Sequence, residues 1–231
     1  MSRRKPRGIS GMVRLTGGVE KAEFIPDGLP AAKDAIEKEI CAGAARSMRF
    51  HGWNTWPLES EPRQLAENDF DFAFVTTGDP EYLDLAEVAP LKGVRGGYEG
   101  VPTTFARGKL VDAILRLVEK KDLHYAGRRR SKVHLLLYIT DFRFLVSEGV
   151  VMLLKVALRR QRHGFASITY FAPIGAESGF LCVLHPAPGG VPYLNRQDEA
   201  RMRAETLTNF DPRKWQHDRE RGGFFQELPK G

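Results

Sequence analysis

The stretch that most constrains the fold is residues 67–91, ENDFDFAFVTTGDPEYLDLAEVAPL. It reads as two β-strands joined by a polar turn, yet Asp69, Asp71 and Asp84 stand inside the strands, where Asp is disfavoured. Successive strand residues face opposite sides. Phe70, Phe72 and Phe74 therefore share one face, and Asp69, Asp71 and Ala73 the other. In the second strand Leu83 and Leu85 share a face, and Tyr82, Asp84 and Ala86 take the opposite one. With both apolar faces on the core, the three aspartates fall on one face of a hairpin, where neighbouring carboxylates repel. Two readings follow. Either that face is open to water and the aspartates are solvated, or a hard divalent cation such as Mg²⁺ or Mn²⁺ sits between them, taking oxygen ligands and keeping several waters. Thr or Lys would serve an exposed face better, which tilts the balance towards a site.

Around this hairpin the chain alternates helices and strands. A helix is expected within DGLPAAKDAIEKEICAGAARSMRF, with a turn at Asp27 and Gly28, Pro30 at a first helical position, and Ile36, Ile40, Ala44 and Met48 at helical spacing. Residues 92–103 are glycine-rich and read as a loop. A second helix is expected over 104–124, with Leu110, Ile114, Leu117, Val118 and then Lys121 on one face. A lysine that continues an apolar stripe either snorkels or meets an acid. The second alternative brings its ammonium to the carboxylates of the sheet, where it would orient a water or stabilise charge on an attacked phosphate. A strand at VHLLLYITD, a helix over 147–162, and strands at FASITYFAP and GFLCVLHPAP complete the core. This order predicts an α/β (α+β) fold with a mixed central sheet flanked by helices. The expected organisation is a basic disordered arm (residues 1–25), a core (26–190) and a polar C-terminal extension (191–231).

Charge and motif content narrow the function classes. Of the formal net charge of +6, five units lie in residues 1–22, where six basic residues face Glu20 alone. Such an arm is solvated or makes nonspecific, salt-dependent phosphate contacts. Arg128, Arg129, Arg130 and Lys132 crowd one turn, and Arg159, Arg160 and Arg162 end the next helix. They either complement helix C-termini or form a phosphate-contacting surface. No apolar run reaches the roughly 18 residues of a membrane span, and the N-terminus lacks the apolar segment of a secretory signal. Cys41 and Cys182 fit no metal or redox spacing and are expected as reduced thiols, so a cytoplasmic location is expected. The six histidines show no HxxxH or HxH spacing, against a zinc site. GVRGGYEG lacks the ending of a phosphate loop, and no Gly-X-Ser-X-Gly elbow occurs.

Taken in order, Glu37 in AIEKEIC, then NDFDF, YLDLAEV, LVEKKDLHY and VHLLLYIT resemble the PD-(D/E)XK superfamily, the restriction-endonuclease-like fold. The resemblance covers about residues 33–185 and is similar to uncharacterised bacterial members. It implies a metal-dependent nuclease hydrolysing phosphodiester bonds with Mg²⁺ or Mn²⁺. On that resemblance Asp69 matches the metal-binding Asp, Asp84 the acid of the third strand, and Glu37 the first-helix Glu, with Glu39 as its alternative. The family's strand lysine would fall at Ala86. Some members supply it from a neighbouring helix, and Lys121 is the candidate here. The implied catalytic set is thus Glu37, Asp69, Asp84 and Lys121, with Asp69 and Asp84 on the metal and Arg128, Arg129, Arg130 and Lys132 on nucleic acid. DNA is the expected partner, no membrane is involved, and a homodimer is compatible. The alternative is a degenerate, noncatalytic nucleic-acid-binding or protein-interaction module on the same fold.

Overall fold

The computed structural model describes residues 11–16, 21–26, 28–59, 61–65, 70–88, 102, 104–125, 132–174, 178–187, 189–191, 193–208, 216–218 and 223–225. The chain opens with an antiparallel hairpin of β1 (Gly11–Thr16) and β2 (Lys21–Pro26). Helix α1 (Lys33–Phe50) follows, then β3 (Arg63–Gln64), β4 (Phe72–Phe74), β5 (Glu81–Glu87) and β6 (Thr104–Ala106). Next come α2 (Arg107–His124), β7 (Val133–Tyr138), α3 (Glu148–Arg160), β8 (Ser167–Ile174) and β9 (Ser178–His185). Helix α4 (Arg196–Ala204), β10 (Thr206–Thr208) and the pair β11 (Gln216–Asp218) and β12 (Gly223–Phe225) end the described chain.

Six strands form one mixed sheet in the order β3-β4-β5-β7-β8-β9. β3, β4 and β5 run as an antiparallel meander, β5, β7 and β8 are parallel, and β9 returns antiparallel to β8. Parallel strands of this kind are covered on both faces and read as continuous apolar runs. All six residues of β7, VHLLLY, are buried. Leu136 and Tyr138 pack with Ile36, Ile40 and Met48 of α1 on one face. Leu135 and Leu137 pack with Ile114 of α2 and Leu154 of α3 on the other. The expected mixed sheet with flanking helices is the observed one, and among the described residues no helix is long and apolar enough to cross a membrane.

Phe171 of β8 fixes how closely α1 and β9 approach. A Cβ on Gly43 of α1 would stand 3.0 Å from its Cζ, and a Cβ on Gly179 of β9 would collide with the same ring and with the Ala172 carbonyl. The ring is therefore seated in space left by two glycines, which sets the height of α1 above the sheet and, with it, the position of Glu37.

Several local expectations change. The first 25 residues were expected as a disordered arm, yet β1 and β2 lie within or across that stretch. Two short, mostly apolar runs, MVRL and AEFI, stand on either side of Gly17-Gly18 in the sequence, a hairpin pattern that a count of charges passes over, and the register sets Arg14 opposite Glu23. Helix α1 begins at Lys33 rather than near Pro30. The helix expected from residue 104 begins at Arg107, because Thr104–Ala106 pair with Thr206–Thr208, a partner about a hundred residues away that no local window contains. Residues 193–208 of the extension are tied to the core. The Arg107 amide donates to the Glu205 carbonyl at 2.7 Å, and the Arg107 and Arg160 guanidiniums pair with Glu205 and Glu199 at 2.7 and 2.6 Å. Cys41 and Cys182 are free and buried, and burial raises both thiol pKa values above the ordinary range.

At the start of the parallel strands a buried polar chain crosses the α1 face. His134 Nε2 lies 2.7 Å from Glu81 Oε2, and His134 Nδ1 lies 2.7 Å from Ser167 Oγ. Burial holds the imidazole below its usual 6.5, against the pull of Glu81.

Gly179→Ala should destabilise the fold by about 1–3 kcal/mol, because the added methyl has no space beside Phe171; urea denaturation checks this. His134 takes up a proton more readily unfolded than folded, so its contribution is complete above 6.5 and is lost as the pH falls below that value. His134→Gln should therefore lose less stability than the wild type between pH 7 and pH 5, read as the shift in urea midpoint.

Candidate functional site

Asp84 is the centre of the site. By strand alternation it leaves Leu83 and Leu85 on the α1 face and points with Ala86 towards α2 and α3. That face is covered, so Asp84 is only 2% exposed. The solvated-face reading of the aspartates thus fails for Asp84, because both sides of β5 carry a helical layer. Lys121, in the last turn of α2, places Nζ 2.7 Å from Asp84 Oδ2. The stripe of Leu110, Ile114 and Val118 packs α2 on the sheet, and one turn further the same face delivers the ammonium.

Asp71 is the second carboxyl. β4 begins only at Phe72, opposite Leu83, so the ladder does not reach the next amides of β5. The side chain of Asp71 substitutes for the missing strand: its Oδ2 accepts the Leu85 N–H at 2.7 Å. Its backbone carbonyl accepts from Leu65 at 3.0 Å. The same carboxyl lies near enough to Asp84 to raise its pKa. Phe70 does not share the face of Phe72 and Phe74, as alternation had suggested. The chain bends at Asp71, and Phe70 stacks instead on Tyr82 and Tyr125, with centroids 4.4 and 4.9 Å away.

These neighbours set the acidity of Asp84. Burial is the largest influence and pushes its carboxyl up to about 7; Lys121 opposes that, and Asp71 adds to it. Asp84 Oδ2 is shut off from solvent and, beside its ion pair, has no well-directed hydrogen bond. Two adjoining carboxyls with an underserved oxygen make a donor set suited to a hard cation, one that takes few protein oxygens and keeps waters. Among the described residues no three His, Cys, Asp or Glu side chains gather as a closed metal cage.

Glu37 lies on α1, buried at 5%, and its Oε1 pairs with Lys33 Nζ at 3.2 Å. Lys33 lies within electrostatic reach of Asp71 and Asp84, so the first turn of α1 borders the site. Gln64 Nε2 of β3 donates to the Asp34 carbonyl at 3.1 Å and ties that turn to the sheet edge. Asp69, Arg128, Arg129 and Arg130 lie outside the described residues. Lys132 pairs with Asp79 in the turn between β4 and β5. Asp71 was legible in DFDF only as one of two aspartates of equal parity; its hydrogen bond to the Leu85 amide emerges from the fold. Glu81, His134 and Ser167 have the residue types of a hydrolytic triad, but Ser167 is 1% exposed, so no substrate reaches its hydroxyl.

No protein-family model, no curated protein and no solved structure matches the chain.

A carboxyl held near 7 instead of 3.8 opposes folding, once ionised, by up to about 4 kcal/mol. The opposition is absent below 3.8, grows as the pH rises and is complete above about 7. Asp84→Asn should therefore be more stable than the wild type at pH 8, with a smaller advantage at pH 5, measured by chemical denaturation.

Proposed function

We propose that this protein is a divalent-metal-dependent nuclease, hydrolysing phosphodiester bonds on a restriction-endonuclease-like core. The observation that carries the reading is Asp84, a buried carboxyl set between a second carboxyl and a lysine. Burying such groups costs stability that a hydrophobic replacement would not, and perturbed carboxyls of this kind concentrate at functional sites. The chain order supports the same reading. Glu37 is on α1, Asp71 stands immediately before the second strand of the meander, and Asp84 is on the third. Lys121 is on the helix that follows, and parallel β7 comes after it. The order matches the resemblance noted above, with Asp71 in the place first given to Asp69.

Asp71 and Asp84 would hold Mg²⁺ or Mn²⁺. When bound, such an ion polarises the phosphate and lowers the pKa of an attacking water. Glu37 would position that water. Lys121 would stabilise the negative charge that develops on the phosphoryl oxygens, a role open to it because Ala86 occupies the strand position where the family carries lysine. Lys132 and the arginines at 128–130 would contact the backbone of the nucleic acid, expected to be DNA, in a salt-dependent manner. The location consistent with this role and with two reduced thiols is the cytoplasm. Ala86 also favours one second reading, a noncatalytic nucleic-acid-binding or protein-interaction module that has lost its strand lysine.

Incubation of plasmid DNA, single-stranded DNA and RNA with the protein and Mn²⁺ tests the proposal. Asp84→Ala and Asp71→Ala should each lower cleavage by about 100-fold or more, and Lys121→Ala by a similar factor, with the fold intact by circular dichroism. An unchanged rate in Asp84→Ala sinks the assignment. Salt-dependent binding without cleavage, unaltered by the aspartate substitutions, would establish the noncatalytic reading instead.

A further inference from the structure

Lys33 is the first residue of α1, and helix physics disfavours it there. The amino end of a helix carries partial positive charge, which opposes a cation in the first turn. The order Lys then Glu at i,i+4 is the weaker orientation of such a pair. Ala32 at the cap supplies no side-chain hydrogen bond that would compensate. Yet Lys33 Nζ lies 3.2 Å from Glu37 Oε1, with the lysine side chain 54% exposed and the glutamate side chain 7%. Burial works against the charge on Lys33, but Glu37, then Asp71 and Asp84, outweigh it and raise its pKa above the ordinary value. The carboxylates of the site, rather than the helix, account for a cation at this position.

We infer that Lys33 is the resident counter-ion of the acidic site, neutralising Glu37 and its neighbours in the metal-free protein and giving way when a divalent cation binds at Asp71 and Asp84. This inference rests on the metal-dependent reading above. The exposed, four-carbon side chain can leave without disturbing the core, and the buried carboxylate of Glu37 stays behind. Lys121 differs from it: its partner Asp84 is buried and its own side chain is half as exposed. Lys33 is therefore the cation that competes with the metal, and Lys121 is the one retained beside it.

The test is calorimetric titration with Mn²⁺ alone, at one pH and one ionic strength, of the full-length wild type, Lys33→Met, Lys33→Gln, Lys33→Arg and Lys38→Met. Removing a unit charge that opposes a divalent cation should tighten Mn²⁺ binding about tenfold in Lys33→Met and Lys33→Gln. Lys33→Arg keeps the charge, and Lys38 is an exposed lysine elsewhere on the same helix; both variants should stay close to the wild type. Equal or weaker Mn²⁺ binding in the two neutral Lys33 variants, with the wild type binding, overturns the counter-ion role and leaves the metal site standing. A tenfold gain in Lys38→Met as well overturns it too, since the effect would then be one of net charge. The absence of Mn²⁺ binding in every protein overturns both the metal reading and this inference.

Discussion

The central strands of this sheet are covered on both faces, and much else depends on that constraint. α1 lies on one side of β5, β7 and β8, and α2 and α3 lie on the other. A strand so enclosed has no solvent side on which to place a charge. Asp84, in the middle of β5, must therefore find its compensation inside the protein, and it finds it in Lys121. The ion pair is a consequence of the layering: α2 is held against the sheet by Leu110, Ile114 and Val118, and the next turn of the same stripe brings the lysine in.

The site is also a product of an interrupted ladder. β4 has three residues, and where it stops, β5 still needs an acceptor for the Leu85 amide. A carboxylate provides it. The same side chain that completes the hydrogen bonding of the sheet stands beside Asp84, so structural and chemical demands converge on Asp71. The half-buried Asp71 carboxyl beside the buried Asp84 favours the neutral form of Asp84 over its negative charge. That preference is what a cation would replace.

The paired glycines around Phe171 control the same site from the opposite face. They let α1 lie close to the sheet, and the first turn of that helix carries Lys33 and Glu37 to the sheet edge at β3. Two helices on opposite faces thus each contribute a lysine to one end of the meander, α1 adds Glu37, and the sheet carries Asp71 and Asp84 between them. A constellation with two cations and three acids is close to charge balance without a metal, which allows the fold to form before any ion is bound.

The sequence by itself determined the alternation of helices and strands, because a period of two and a period near 3.6 are local properties of the chain. It also placed Asp84 opposite the leucines of its strand and Lys121 on the apolar stripe of α2, since both follow from periodicity. Local pattern gave Asp69 and Asp71 equal parity; that Asp71 serves the Leu85 amide of β5 is visible only in the fold. Nor could any window contain the pairing of β6 with β10, which joins residues about a hundred apart. The burial of Asp84, its raised pKa and the approach of Lys33 are likewise tertiary. Solvation and electrostatic work depend on which elements cover a residue and which charges come near it, and those neighbours are brought together only when the chain has folded.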